Sequence, residues 1–131
     1  MPTSLEELLA LGDEPYILLT TFRRTGVPVS TAVWVGRDTD SLLVTSMGLA
    51  GKVKRLRNDD RVELTPCDIR GQVTDGAVTL SAHATIHPDA DTMNQLADIF
   101  VVKYGDRYRE IRAAAAERPP GRESVALRIR P

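Results

Sequence analysis

The short links between the first three β-prone runs constrain this chain more than any other feature. Tyr16–Phe22 (YILLTTF) is apolar and β-branched, and Val27–Gly36 (VPVSTAVWVG) follows the polar turn around Gly26. Leu42–Ser46 then follows the polar turn Arg37–Ser41. A link this short cannot carry a parallel crossover, so the first two strands are expected to pair as an antiparallel hairpin. With no helix separating strands one, two and three, a doubly wound fold is disfavoured. Further strands are expected over Arg61–Cys67, where Pro66 marks an edge or a break, over Ala77–Ile86 with its alternating apolar residues, and over Ser124–Ile129. Six mostly meandering strands with helices gathered late predict an α+β or small-barrel architecture in one domain, 1–131.

The helices have local signatures. Ser4 and Glu7 fit a capping box at the head of a short helix reaching Leu11. Asp89 to Lys103 places Met93, Leu96, Ala97, Phe100 and Val101 on one face, Gly105 interrupts, and Asp106–Glu117 forms a second late helix. The segment RPPGR (118–122) is a rigid linker to the closing strand.

A short helix near residues 52–57 carries its charges at the wrong ends. Lys52, Lys54, Arg55 and Arg57 begin at its N-terminus, and Asp59 and Asp60 follow it. A helix selected for stability alone would reverse this order, at about 0.3–1 kcal/mol per charge. Free amides plus cations at a helix start form an anion site, most often for phosphate. Val53 and Leu56 anchor this helix at i, i+3 spacing, and Lys52 and Arg55 share another face at the same spacing. A solvated basic face without a ligand remains the alternative. The strand before it, Val27–Gly36, has no charged residue on either side, so it is expected to be covered on both. One cover is the core, and the other is a ligand, a second subunit or a helix of the same chain.

Composition narrows the partners. The formal net charge of −1 argues against nucleic acid and membrane as partners and makes the basic cluster local, which suits a small anion. A single cysteine, Cys67, allows no internal disulfide and suits a reducing cytoplasm. Neither a signal sequence nor an apolar run near the roughly 20 residues of a membrane span is expected. There is no G-x-G-x-x-G after a strand, no complete P-loop and no G-x-S-x-G. His83 and His87 alone make a weak metal site, and none is expected. No catalytic side-chain set emerges, so the catalytic residues stay unassigned. A cofactor would carry the chemistry while the protein positions it.

The runs GVPVSTAVWVG, TSMGLAGKVKRLRND, RVELTPCDIRG and SAHATI resemble the split-barrel flavin and deazaflavin oxidoreductases related to pyridoxamine phosphate oxidase. More narrowly, they are similar to the actinobacterial branch of probable enzymes dependent on coenzyme F420. The resemblance implies a six-stranded antiparallel split β-barrel that forms a homodimer, with two cofactor sites at the subunit interface. It implies that Ser30 and Thr31 contact the ring edge, partly through backbone groups, and that Thr45 and Ser46 lie near the ribityl–phosphate chain. It further implies that Gly51 and Lys52 hold the phosphate, that Arg55 supports them, and that Pro66 and Cys67 belong to a nearby loop. Lys54 and Arg57 would attract the phosphate or the polyglutamate tail. Two positions depart from the pattern. Ala32 stands where many members have proline, and Gly51 stands where flavin-using relatives have arginine, which weakens the case for flavin mononucleotide (FMN). The resulting expectation is a coenzyme F420-dependent oxidoreductase passing hydride to an organic acceptor, with Tyr104, Tyr108 or water as proton source. The rivals are an FMN oxidase or reductase and a non-catalytic cofactor- or haem-binding protein.

Overall fold

In a computed structural model, residues 3–131 are described. Helix α1 (Leu5–Ala10) opens with the expected capping box: Ser4 Oγ accepts from the Glu7 amide at 3.1 Å, and Glu7 Oε1 accepts from the Ser4 amide at 3.2 Å. After a 3-10 turn, β1 (Tyr16–Phe22) and β2 (Pro28–Val33) pair antiparallel, with Thr20 opposite Ser30 and Leu19 opposite Thr31. Next come β3 (Gly36–Arg37), β4 (Leu42–Met47), α2 (Gly51–Asn58), β5 (Arg61–Cys67) and β6 (Leu80–His87). Helices α3 (Ala90–Tyr104) and α4 (Asp106–Ala116) meet at Gly105, whose φ of 64° lies in the region that glycine enters at low cost. Strand β7 (Ser124–Arg130) closes the order.

The strands form one antiparallel sheet in the order β2-β1-β5-β6-β7-β4-β3. It holds seven strands, not six, because the expected second strand breaks at Trp34–Val35. Its first half pairs with β1 and its second half with β4. The cause lies about seventy residues downstream. Lys103 Nζ donates to the Val35 carbonyl at 2.6 Å, and the Tyr104 hydroxyl accepts from the Val35 amide at 3.0 Å. These side chains take the hydrogen bonds that an unbroken ladder would have used. Gly36 then lies so close under Ile99 and Phe100 that an added Cβ would stand 2.6 Å and 2.8 Å from them.

The break also shapes the sheet. Seven strands laid flat would hold their edges roughly 29 Å apart at about 4.8 Å per spacing. The edge strands β2 and β3 are joined by three residue steps, which span at most about 11 Å. The sheet therefore curls. Its concave face gathers one apolar cluster: Ile17, Leu19, Val44, Leu64, Ala82 and Leu127 among others, with Leu8 of α1 and Val53 and Leu56 of α2 inserted. Each of the larger aliphatic side chains contributes about 1.5–3 kcal/mol when fully buried. The convex face carries a second cluster, in which Leu43 and Ala126 pack under Leu96, Phe100 and Tyr108 of α3 and α4. No helix among the described residues is long and apolar enough to cross a membrane.

Candidate functional site

Helix α2 opens at Gly51 as the sequence implies, but its eight residues put Arg55 and Arg57 in the last turn, where the dipole favours cations, so only Lys52 and Lys54 sit at the disfavoured end. Ala50 occupies its N-cap position and offers no side-chain cap, and no acidic residue lies in the first turn. Among the described residues, the amides of Gly51 and Lys52 have no backbone acceptor. Arg55 folds back over this end. Its Nε donates to Thr21 Oγ1 at 2.7 Å, and a Cβ placed on Gly51 would stand 2.8 Å from its Nη1. The glycine thus leaves room for a guanidinium above the open end of the helix. Burial and then the Arg55 charge lower the pKa of Lys52, and no acid opposes them. Two cations therefore share an uncapped helix start without a counter-charge. An anion with several oxygens fits this donor set through amides, ammonium and guanidinium together.

Strand parity sorts the expected site residues into two groups. Thr31 shares the concave face with Leu19 and Thr21, and Pro66, opposite Ile17, lies on the same face. Ser46, opposite Val125 in β7, also belongs to that face. These three are on the same side of the sheet as Gly51, Lys52 and Arg55. Ser30, Thr45 and Cys67 are on the other side. Ser30 Oγ lies 2.8 Å from Thr20 Oγ1, and its contact toward the concave side is restricted to its main chain. Cys67 is buried opposite Tyr16 beside Val73, and burial pushes its thiol pKa up. Thr45 Oγ1 approaches the Val125 carbonyl at 3.4 Å, beneath α3 and α4. Thr21 is the residue that sequence reasoning missed. Its only signal was its place among alternating strand residues.

Strand β2 is the most open part of the sheet. Pro28, Ser30 and Thr31 are exposed, while Val29, Ala32 and Val33 are half-buried. Helix α2 packs on the neighbouring β1, and α3 packs on β3, β4 and β7, so the uncharged strand keeps an uncovered surface within the single chain. At its end Trp34 stacks on Tyr104, with centroids 4.2 Å apart and planes at 8°. The two tyrosines expected as proton sources differ. Tyr104 is committed, donating to the Pro15 carbonyl at 2.8 Å while capping Val35, and burial pushes its pKa to about 12. Tyr108 is buried and lines a cleft between α3, α4 and the end of β4. His83 contacts Asp60 at 3.1 Å and His87 contacts Thr85 at 2.7 Å, both on the surface.

The chain thus combines a curled antiparallel sheet with an anion-ready helix start, and comparison identifies the family. The model described as pyridoxamine 5'-phosphate oxidase matches residues 2–131, so the chain belongs to that family. Similar solved structures include the protein Atu2129 of Agrobacterium tumefaciens, at 18% identity and TM-score 0.68 over 92% of this chain. This chain spans only 49% of that protein's length. The haem-storage protein HutZ of Vibrio cholerae is similar at 15% identity and TM-score 0.70, covering 100% of this chain and 91% of HutZ. A structure named F420 reductase is similar at 24% identity and TM-score 0.59, covering 100% of this chain and 95% of its own. These likenesses show a shared fold. A search of curated proteins finds no match.

Proposed function

We propose that the protein is a coenzyme F420-dependent oxidoreductase, acting as a homodimer whose barrels close around two cofactor sites at the subunit interface. The observation that carries this reading is the pairing of Lys52 and Arg55 at the uncapped start of α2, with no acid between them. Gly51, Lys52 and Arg55 hold the cofactor phosphate. The ring extends along β2, meeting Thr31 by its side chain and Ser30 by its main chain, and a second subunit covers the strand surface left open here. Ser46, with Thr45 behind it, borders the ribityl chain, and Pro66 and Cys67 support the strand beside β1. When bound, the deazaflavin supplies a hydride to an organic acceptor, while the protein orients the ring and limits access of water.

The deazaflavin is preferred over FMN because the basic surface continues past the phosphate end. Lys54 and Arg57 are exposed on α2, and Arg24 of the β1–β2 turn donates to Asn58 at 3.2 Å. A cofactor with an anionic tail uses such a track, and FMN has no group that reaches it. The test is a titration of purified protein with each cofactor, read by Trp34 fluorescence. Saturation by the deazaflavin at micromolar concentration is expected. A response to FMN alone, or a yellow protein as purified that shows a flavin absorption spectrum, transfers the site to a flavin. Tight binding without hydride transfer to a broad acceptor panel would make it a carrier.

A further inference from the structure

The cleft between α3, α4 and the end of β4 is not accounted for by the phosphate end of the site. It encloses about 370 Å³, within the range of small-ligand pockets. Met93, Ile111 and Ala115 give it apolar walls, and Tyr108, Arg112 and Arg118 give it polar ones. Tyr108 is only 3% exposed, yet its hydroxyl has no hydrogen-bond partner among the described residues. Among the described residues no polar side-chain atom is both fully enclosed and unpartnered, so this hydroxyl reaches the cleft that Tyr108 lines. Ring packing against Phe100, with centroids 5.3 Å apart, fixes its direction. Among the described residues the guanidiniums are engaged only by neutral oxygens: Arg112 donates to Asn94 at 3.3 Å and Arg118 to Ser124 at 3.1 Å. The one acid of the lining, Glu123, is held by the Gly121 amide at 3.0 Å. A phenol and two guanidiniums without a carboxylate partner thus border an apolar hollow.

We propose that this cleft binds a small organic acid, its apolar body between Met93, Ile111 and Ala115 and its carboxylate on Arg112 and Arg118, with the Tyr108 hydroxyl donating to it. A guanidinium matches a carboxylate in a two-pronged geometry, and the apolar walls select an acid with a hydrocarbon frame over inorganic anions. The site lies apart from the phosphate end at Lys52, since α2 inserts on the concave face and α3 and α4 cover the convex one, and it adjoins the proposed ribityl path only where Thr45 and Ser46 line it.

The probes are cinnamate, hexanoate and indole-3-acetate, each paired with the alcohol of the same frame, in calorimetric titrations of the full chain. At least one acid is expected to bind saturably and at least tenfold more tightly than its alcohol. Arg112→Gln, a change at an exposed helix position, should erase that preference while leaving alcohol binding intact. Tyr108→Phe should weaken the acid a few-fold, with an unchanged thermal midpoint as the check on folding. Lack of saturable binding by all three acids overturns the proposal. So does acid binding that Lys52→Ala abolishes and Arg112→Gln spares, which would place the acids at the helix start. If Arg112→Gln weakens F420 or FMN as much as Lys52→Ala does, the cleft belongs to the cofactor and the proposal falls. Failure of the acids with intact deazaflavin binding leaves the oxidoreductase reading standing, and the reverse result removes that reading alone.

Discussion

Two lysines of this chain sit partly buried with their pKa lowered by burial, and their surroundings could hardly differ more. Lys103, at the end of α3, donates to three carbonyls: Gly12 at 2.7 Å, Glu14 at 2.6 Å and Val35 at 2.6 Å. All three hydrogens of its ammonium are used, and Asp13 adds a favourable charge. Lys52 faces another cation and no acid. Burying an ammonium is costly unless it is paired, so the first arrangement is complete and the second is not. The contrast separates a group that holds the fold together from one arranged for something outside the chain.

The largest test of this contrast is Lys103→Met against Lys52→Met. Each buried acceptor stripped of its donor costs about 1–3 kcal/mol; Lys103 serves Gly12 and Glu14 and shares Val35 with the Tyr104 hydroxyl, which donates to it at 3.2 Å. Loss of Lys103 should consume much of the stability of a domain worth about 5–15 kcal/mol, seen as a collapsed urea midpoint. Lys52→Met should leave that midpoint level or raised. Its burial disfavours the charged form in the folded state, so wild-type stability should climb as pH rises through the lowered pKa toward 10.5. The lysine variants exchange ranks when the readout is affinity. Lys52→Ala should weaken deazaflavin binding by about 1.5–3 kcal/mol, roughly 10- to 150-fold, without loss of fold. Unchanged affinity in a titration would move the phosphate elsewhere.

Smaller still is Tyr104→Phe, which orphans the Val35 amide and should cost about 1–3 kcal/mol by chemical denaturation. A pH series sharpens it. The raised pKa of Tyr104 means its stabilisation is complete below the ordinary value of 10.0 and is lost as pH climbs toward about 12. The phenylalanine variant should lack that alkaline loss. The smallest effect is expected from Gly51→Ala. The new methyl meets only the tip of Arg55, and helical alanine gains up to about 1 kcal/mol over glycine. Stability should rise slightly while cofactor affinity falls a few-fold, a split that a purely structural glycine would not give.

Local chemistry made much of this legible in the sequence. The capping box of α1, the anchors Val53 and Leu56, the span Arg61–Cys67 and the alternation that buries Ala82 and Ala84 all follow from residues within one element. The break in the second strand was hidden because Val33, Trp34 and Val35 are good strand formers, and the groups that interrupt them are Lys103 and Tyr104. Strand β6 begins at Leu80 and not at Ala77, since the preceding loop turns at Gly76, with φ of 74°. At the site, Gly51, Lys52 and Arg55 could be grouped by helical spacing. Their link to Thr21 could not, because it depends on how the helix docks across the sheet. The opposite facing of Ser30 and Thr31 was already implied by strand period, and only the docking of α2 shows which face meets the cations.

The sheet order carries a consequence for how the chain assembles. Strand β7 sits between β6 and β4, pairing Thr45 with Ala126 across 81 positions of sequence. Until Ser124–Arg130 is available, the remaining strands form two fragments, β2-β1-β5-β6 and β4-β3, joined by the chain at Trp34–Val35 and through α2 but by no strand pairing. Such remote pairing slows folding, because a long loop must close before its contacts give anything back. The concave cavity that receives α2 is therefore completed late, and the anion site at Lys52 can mature only after the strand most distant from it in sequence has taken its place.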